Sequence, residues 1–388
     1  MTGHIRKREQ GATALLIVIF ALLLFTIVTV GFMRAMVQDQ QQSNDSELSR
    51  GAYDSALAGV EDGKRVLTQC VVNGVQAACD AIDAEKCTTI GDAGIVTPAS
   101  GSQTDGEVYV KRTAAGDGTD FQQAYTCIKI DRNTNDYVNT LAADTSHVFP
   151  LRVSDAESFD TIELSWVAPA KGQATRAVTR PGMLASPPLP TLVGWGSDTP
   201  PIMRVQVMQY TDKNVKLRDF DENGGSQTLF IYPSNGGNLT TQFSVDGRRS
   251  GTQRPIYAPC SPGAPQPPID GYYCKVRIQM TKAVSGNATD TDRRAYLRLT
   301  SLYAGTDFRV RLYKGANLVN FNGVQPAVDA TGRAADVFRR VRARVELIDP
   351  AVDTTLYPRA TVDITNNLCK TMFVTNTASD YDQGSCAP

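Results

Sequence analysis

At 388 residues the chain has room for two bodies of ordinary domain size beside a terminal anchor. Its 39 basic and 40 acidic residues nearly cancel, and two histidines with no C-x-x-C pair give little basis for a Cys/His zinc site or a His-dependent nucleophile. No G-x-x-x-x-G-K-[ST] loop and no G-x-G-x-x-G opening a helix occurs, so nucleotide chemistry has no motif to rest on.

The first element is the most biased in composition. Residues 12–33 contain no charge, and as a helix they would be about 33 Å long, against a bilayer core of about 30 Å. His4, Arg6, Lys7 and Arg8 precede the run; beyond it Arg34 is followed by Asp39, Asp45 and Glu47. The positive-inside rule then predicts a single-pass protein with its N-terminus cytoplasmic and the remainder outside. The apolar run exceeds the 7–15 residues typical of a cleaved secretory signal.

The chain has no proline before Pro98, so the helix is expected to continue past the bilayer. Residues 38–47 are polar on every side. Leu48, Ala52, Ala56 and Val60 then recur every four residues, with Tyr53, Leu57 and Leu67 widening the stripe. This is the pattern of an amphipathic helix, over 34–70, packed on a domain.

Gly11 follows the basic leader MTGHIRKREQ and precedes Ala12-Thr13-Ala14-Leu15-Leu16; further on the chain reads RGAYDSALAGVE from Arg50 to Glu61. These segments resemble the N-terminal region of PilX-type minor pilins, a family of type IV pilin-like proteins, over roughly the first seventy residues. The resemblance implies a leader at 1–11, cut by a prepilin peptidase after Gly11, with Ala12 as a methylated new N-terminus. It further implies a helix core that packs against other pilins in a filament. Where the family usually has glutamate at the fifth mature position, this chain has Leu16, a departure consistent with a minor subunit.

All eight cysteines lie beyond the apolar run, as disulfides in an exported head require. Nearest-neighbour pairing predicts Cys70 with Cys127, Cys79 with Cys87, Cys260 with Cys274, and Cys369 with Cys386. The last pair would staple a C-terminal segment at 349–388, much as pilins close a C-terminal loop.

Beyond the helix, β-branched and aromatic runs alternate with turn residues. Strands are predicted at 108–111, 124–130, 147–153 and 161–167, forming a β-rich head over 71–180. Five prolines from Pro187 onward and three glycines across the stretch mark 181–201 as a linker. A second β-rich domain over 202–348 follows, with strands at 203–209, 228–232, 274–280, 295–302, 308–313 and 337–347, and a β-sandwich is its expected form. The Pro-rich stretch 254–270 reads as an extended surface loop. One larger head spanning both regions is the alternative. The fold class is α+β.

Residues 271–345 hold 14 basic against 5 acidic residues, so this segment is cationic within a neutral chain. Arg309 and Arg311, and Arg340, Arg342 and Arg344, alternate with apolar residues and would share strand faces. A solvated sheet face is the simpler account; binding of an anionic surface polymer or DNA is the functional one. Asp219, Asp221 and Asn223 have the opening spacing of a calcium loop, but Phe230 stands where the bidentate glutamate belongs.

The sequence therefore predicts a minor pilin-like structural subunit acting in pilus assembly, adhesion or display. No catalysis and no cofactor is expected. The alternative is a single-pass surface protein or adhesin with a basic polyanion-binding face.

Overall fold

The computed structural model describes residues 9–95, 107–111, 123–168, 200–210, 226–234, 240–242, 256–260, 271–287 and 294–346. Helices come first: α1 (Glu9–Val71), α2 (Gln76–Asp83) and α3 (Thr89–Asp92). The strands β1 (Val108–Lys111), β2 (Gln123–Thr134), β3 (Tyr137–Leu141), β4 (Ser146–Pro150) and β5 (Ser158–Trp166) follow. After them come β6 (Ile202–Tyr210), β7 (Ser226–Ser234), β8 (Thr240–Gln242), β9 (Ile256–Pro259) and β10 (Cys274–Ser285). The last are β11 (Arg294–Leu302), β12 (Thr306–Lys314), β13 (Asn317–Val319), β14 (Phe321–Ala334) and β15 (Val337–Arg344). The protein is α+β: a long N-terminal apolar helix followed by a strand-rich head of antiparallel and mixed sheets.

The chain divides into two compact units. The first comprises residues 1–66, 76–129 and 328–343, the second 67–75, 130–327 and 344–388. A four-stranded sheet in the order β1-β2-β14-β15 belongs largely to the first unit, and β2 and β14 each run on into the second.

In the first unit the second half of α1 lies on this sheet. Ala52, Ala56 and Val60 are buried as the four-residue spacing predicts. Leu67 is buried as expected, but over residues 51–63 the stripe is widened on the side opposite to the expected one. Tyr53 and Leu57 remain 49% and 38% exposed, while Gly51, Ser55, Gly59 and Gly63 are buried. These four stand one above another at i, i+4 spacing and form a row almost without side chains. Sheet side chains fill the space: a Cβ at Gly59 would stand 2.5 Å from Ile128 Cδ1, and one at Gly63 would stand 2.6 Å from Val328 Cγ1. Ser55 Oγ donates to the Gly51 carbonyl at 2.8 Å, so the one hydroxyl in the row is satisfied within the helix. The Tyr125 hydroxyl donates to Asp62 at 2.7 Å, and Arg333 donates to Glu107.

Cys87 is bridged to Cys127, which corrects the expected pairs of Cys79 with Cys87 and Cys70 with Cys127. A single parallel bridge between Thr88 and Ile128 sets the chain before α3 alongside β2 and brings the two Cα atoms to 4.4 Å. Proximity in space, supplied by the sheet, overrides proximity in sequence. Cys70 and Cys79 are each disulfide-bonded.

The second unit holds two sheets. One has six strands, ordered β13-β12-β5-β10-β8 with β3 also paired to β12; the other is β4-β11-β6-β7-β9. Neighbours are antiparallel except that β8 runs parallel to β10 and β9 to β7. Inward side chains of both sheets, among them Leu164, Trp166, Val276 and Val310 from the first and Phe149, Val205, Ile231 and Leu299 from the second, form one hydrophobic core. Tyr137 and Phe149 stack within it, ring centroids 3.8 Å apart.

This arrangement corrects the division expected at 181–201. Strand β5 precedes that stretch, yet it pairs on one side with β10 and on the other with β12, both of which follow it. Strand β4 likewise pairs with β11. A central strand has backbone groups to satisfy along both edges, and here later strands satisfy them. The stretch 254–270 is not wholly loop: β9 lies within it, and Cys260 is joined to Cys274 by both a β-bridge and a disulfide.

Candidate functional site

Residues 14–37 of α1 form the most unusual surface of the protein. Seventeen large apolar side chains from Leu15 to Val37 are each more than half exposed. At about 1.5–3 kcal/mol for each side chain left in water, such a surface costs roughly 25–50 kcal/mol unless something apolar covers it. The stretch is about 36 Å long at 1.5 Å per residue, enough to cross a bilayer core. Its threonine hydroxyls at 26 and 29 are already satisfied: Thr26 Oγ1 donates to the Leu23 carbonyl at 2.8 Å and Thr29 Oγ1 to the Phe25 carbonyl at 2.9 Å. A helix that closes its own backbone and hydroxyl bonds can enter hydrocarbon without an orphaned donor. Among the described residues α1 is the one helix long and apolar enough to cross a membrane, and it is a candidate membrane anchor.

Gly11 and Ala12 lie in the first turns of α1, and Leu16 follows, 67% exposed, on the same uninterrupted helix. Residues 38–47 continue the helix as a wholly exposed polar segment before it meets the sheet. The three regimes read in the sequence (apolar on all sides, polar on all sides, one-sided) are consecutive parts of one 63-residue rod.

The five arginines singled out by alternation fall on different sheets. Arg309 and Arg311 are on β12, where Arg309 is 7% exposed and Arg311 approaches Glu163 of β5 at 4.0 Å. Arg340 and Arg342 are exposed on β15, with Arg340 Nε donating to Asp329 at 2.7 Å. Arg344, at the end of that strand, is paired with Asp136. Glu163, Lys275 and Arg277, which sequence reading passed over, gather with Arg311. The signal for them was alternation within 161–166 and 275–279, but only strand register reveals that they meet.

His147 on β4 sits in a small polar cluster. Its Nε2 is 2.5 Å from the Tyr137 hydroxyl and 3.0 Å from Glu346 Oε1, and Tyr137 also donates to Glu346 at 2.8 Å. Burial, and then the Glu346 charge, push the Tyr137 phenol far above its usual range. Three groups sharing these bonds tie the chain after β15 to β3 and β4. Among the described residues no group of three His, Cys, Asp or Glu side chains is placed to hold a metal ion. The calcium-loop candidates Asp219, Asp221 and Asn223, and the pair Cys369 and Cys386, lie outside the described residues.

No protein-family model, curated protein or solved structure matches the chain.

Proposed function

We propose that the protein is a minor subunit of the type IV pilin kind, anchored by α1 in a membrane and then packed through the same helix into a filament. The observation that carries this reading is the continuity of α1. One unbroken helix is bare over 14–37, apolar except for Arg34, and packed against its own sheet from residue 51 on. An anchor that stayed in lipid would need no rigid connection to the head. A subunit that must hand its helix from lipid to neighbouring helices benefits from a rod that holds the head at a fixed distance. The leader-like residues up to Gly11, and the likeness of the N-terminal region to PilX-type minor pilins, support the same reading. On it the N-terminus faces the cytoplasm, the head faces outward, and the two sheets with one shared core constitute a β-sandwich. Its partners are a prepilin peptidase and other pilins, and burial of α1 supplies the driving force for assembly.

The test is N-terminal mass spectrometry of the protein from cells with and without a functional prepilin peptidase. A mature chain beginning at Ala12, seen only when the peptidase is present, is the expected outcome. An intact leader in both strains would refute the filament reading and leave a single-pass surface protein.

A further inference from the structure

Within the second unit a cleft of about 320 Å³ opens where the chain leaves β4. Leu151 and Val153 are buried there, while Arg152 and Asp155 are exposed. Backbone bonds hold the segment at three points. Leu151 N donates to the Ala295 carbonyl of β11 at 2.8 Å, Asn322 N of β14 donates to the Arg152 carbonyl at 2.9 Å, and Glu157 N closes a turn onto the Ser154 carbonyl at 2.9 Å. Gly286, just past β10, sits so tightly against this turn that a Cβ on it would stand 1.9 Å from the Ser154 carbonyl oxygen. Arg152, Asp155 and Asn322 line the cleft together with Pro150 and Ala295. Arg152 and Asp155 are the only charged residues among the described residues that line it. Neither forms an ion pair or a side-chain hydrogen bond, with the other or with another described residue.

We propose that this cleft binds the zwitterionic head of a small α-amino acid, its carboxylate on Arg152 and its ammonium on Asp155. A volume of about 320 Å³ lies at the lower end of small-molecule sites, which run from about 300 to 1,000 Å³, so it suits one small molecule better than a polymer. Charge then selects the molecule. Whatever fills the cleft takes water from a cation and an anion together, and each desolvated charge is costly unless an opposite charge replaces the water. A simple anion would meet Arg152 and be repelled by Asp155, and a simple cation the reverse. A neutral sugar would offset neither. An α-amino acid carries both charges on substituents of a single carbon, and a planar guanidinium suits its carboxylate in bidentate geometry. The Asn322 amide adds donors and an acceptor beside them, and Pro150 and Ala295 offer apolar contact to a short side chain. The backbone bonds already fix the segment, so binding has little left to order. The proposal stands whether or not α1 enters a filament.

The test is isothermal titration calorimetry of the full chain in detergent micelles, with L-alanine as probe. N-acetyl-L-alanine, which lacks the ammonium, and L-alaninamide, which lacks the carboxylate, serve for comparison. Alanine is expected to bind, and each analogue to bind at least about tenfold more weakly. In Asp155→Asn the advantage of alanine over N-acetylalanine should fall below about threefold while its advantage over alaninamide persists; in Arg152→Gln the reverse is expected. Neither substitution removes a bond to a described residue, so neither should shift the melting temperature. If one does, the comparison of the three ligands on the wild-type chain decides. No heat of binding from alanine at about 10 mM, analogues binding within about twofold of alanine, or an unchanged ligand preference in either variant would each overturn the proposal.

Discussion

Gly332 of β14 passes so close beneath α1 that a methyl group on its Cα would stand 2.1 Å from the carbonyl oxygen of Ala52. Both atoms in that collision belong to, or are fixed to, backbone, so no rotamer change can relieve it. Gly332→Ala should therefore destabilise the chain by about 3 kcal/mol, at the upper end of the usual overpacking range. Gly91→Ala in α3, where a Cβ meets nothing within 4 Å, should be neutral or slightly stabilising. Thermal unfolding of the two variants side by side makes the comparison, and equal melting temperatures would remove the close helix-to-sheet contact from the account.

Tyr125 donates to Asp62 at 2.7 Å, and burial, followed by that carboxylate, drives its phenol well above the usual range. Below pH 10 the group is neutral folded or unfolded and its contribution to stability is constant. Above pH 10 the unfolded chain loses the proton first, so stability falls as pH rises toward the folded-state value. Tyr125→Phe should cost about 1 kcal/mol at neutral pH and make the loss of stability above pH 10 shallower. Denaturant midpoints measured at pH 7 and pH 11 for wild type and variant test both statements; parallel pH profiles would contradict the second.

Tyr232, pushed up by burial and then by Tyr257 to about 12, should titrate later than exposed tyrosines. Ultraviolet titration of Tyr232→Phe against wild type should remove a phenolate transition near pH 12 and leave the transition near pH 10 unchanged. Loss of amplitude near pH 10 instead would show that the ring is not buried.

Peptide mapping without reduction should recover Cys87 joined to Cys127 and Cys260 joined to Cys274. A Cys79–Cys87 peptide would contradict the structure. Because the first bridge closes 40 residues of chain, the double change Cys87→Ser/Cys127→Ser should lower stability by about 2–4 kcal/mol.

A charge in the middle of the bare helix should interfere with membrane residence. Leu22→Arg adds about 2.5–3.5 kcal/mol to insertion at the helix centre, so a larger share of the variant should appear in the carbonate-extractable fraction. Ser46→Arg, on the exposed polar segment, should partition as wild type. Identical partitioning of Leu22→Arg would mean that residues 14–37 are covered by protein and not by lipid.

Much of the fold is legible along the chain where a pattern is local. The apolar run, the missing prolines and the four-residue spacing of Ala52, Ala56 and Val60 predict α1, and β-branched alternation predicts β1, β5, β6, β10, β11 and β12 closely. Strand β14 escapes the same reading because Gly323, Pro326, Asp329 and Gly332 break its alternation. Each break has a tertiary reason where the structure supplies one. Gly332 leaves room for α1, Gly323 takes a positive φ of 66°, and the Pro326 carbonyl accepts from Val345. The gathering of Glu163 with Lys275, Arg277 and Arg311 escapes for a different cause: along the chain these are ordinary charged positions in alternating strands, and only register brings them together around the buried Glu163.

By itself the sequence determined that a helix too apolar for water is followed by alternating β-branched and aromatic strands, with all eight cysteines beyond the apolar run. Those properties are written in the order of residues a few positions apart, where helix and strand periods operate. Only the tertiary structure decided which strands pair, so that β5 takes both partners from beyond the 181–201 stretch. It also decided which cysteine Cys87 meets, and that glycines rather than Tyr53 and Leu57 face the sheet. These depend on which surfaces exclude water from one another, and residues far apart in sequence compete for that contact on equal terms.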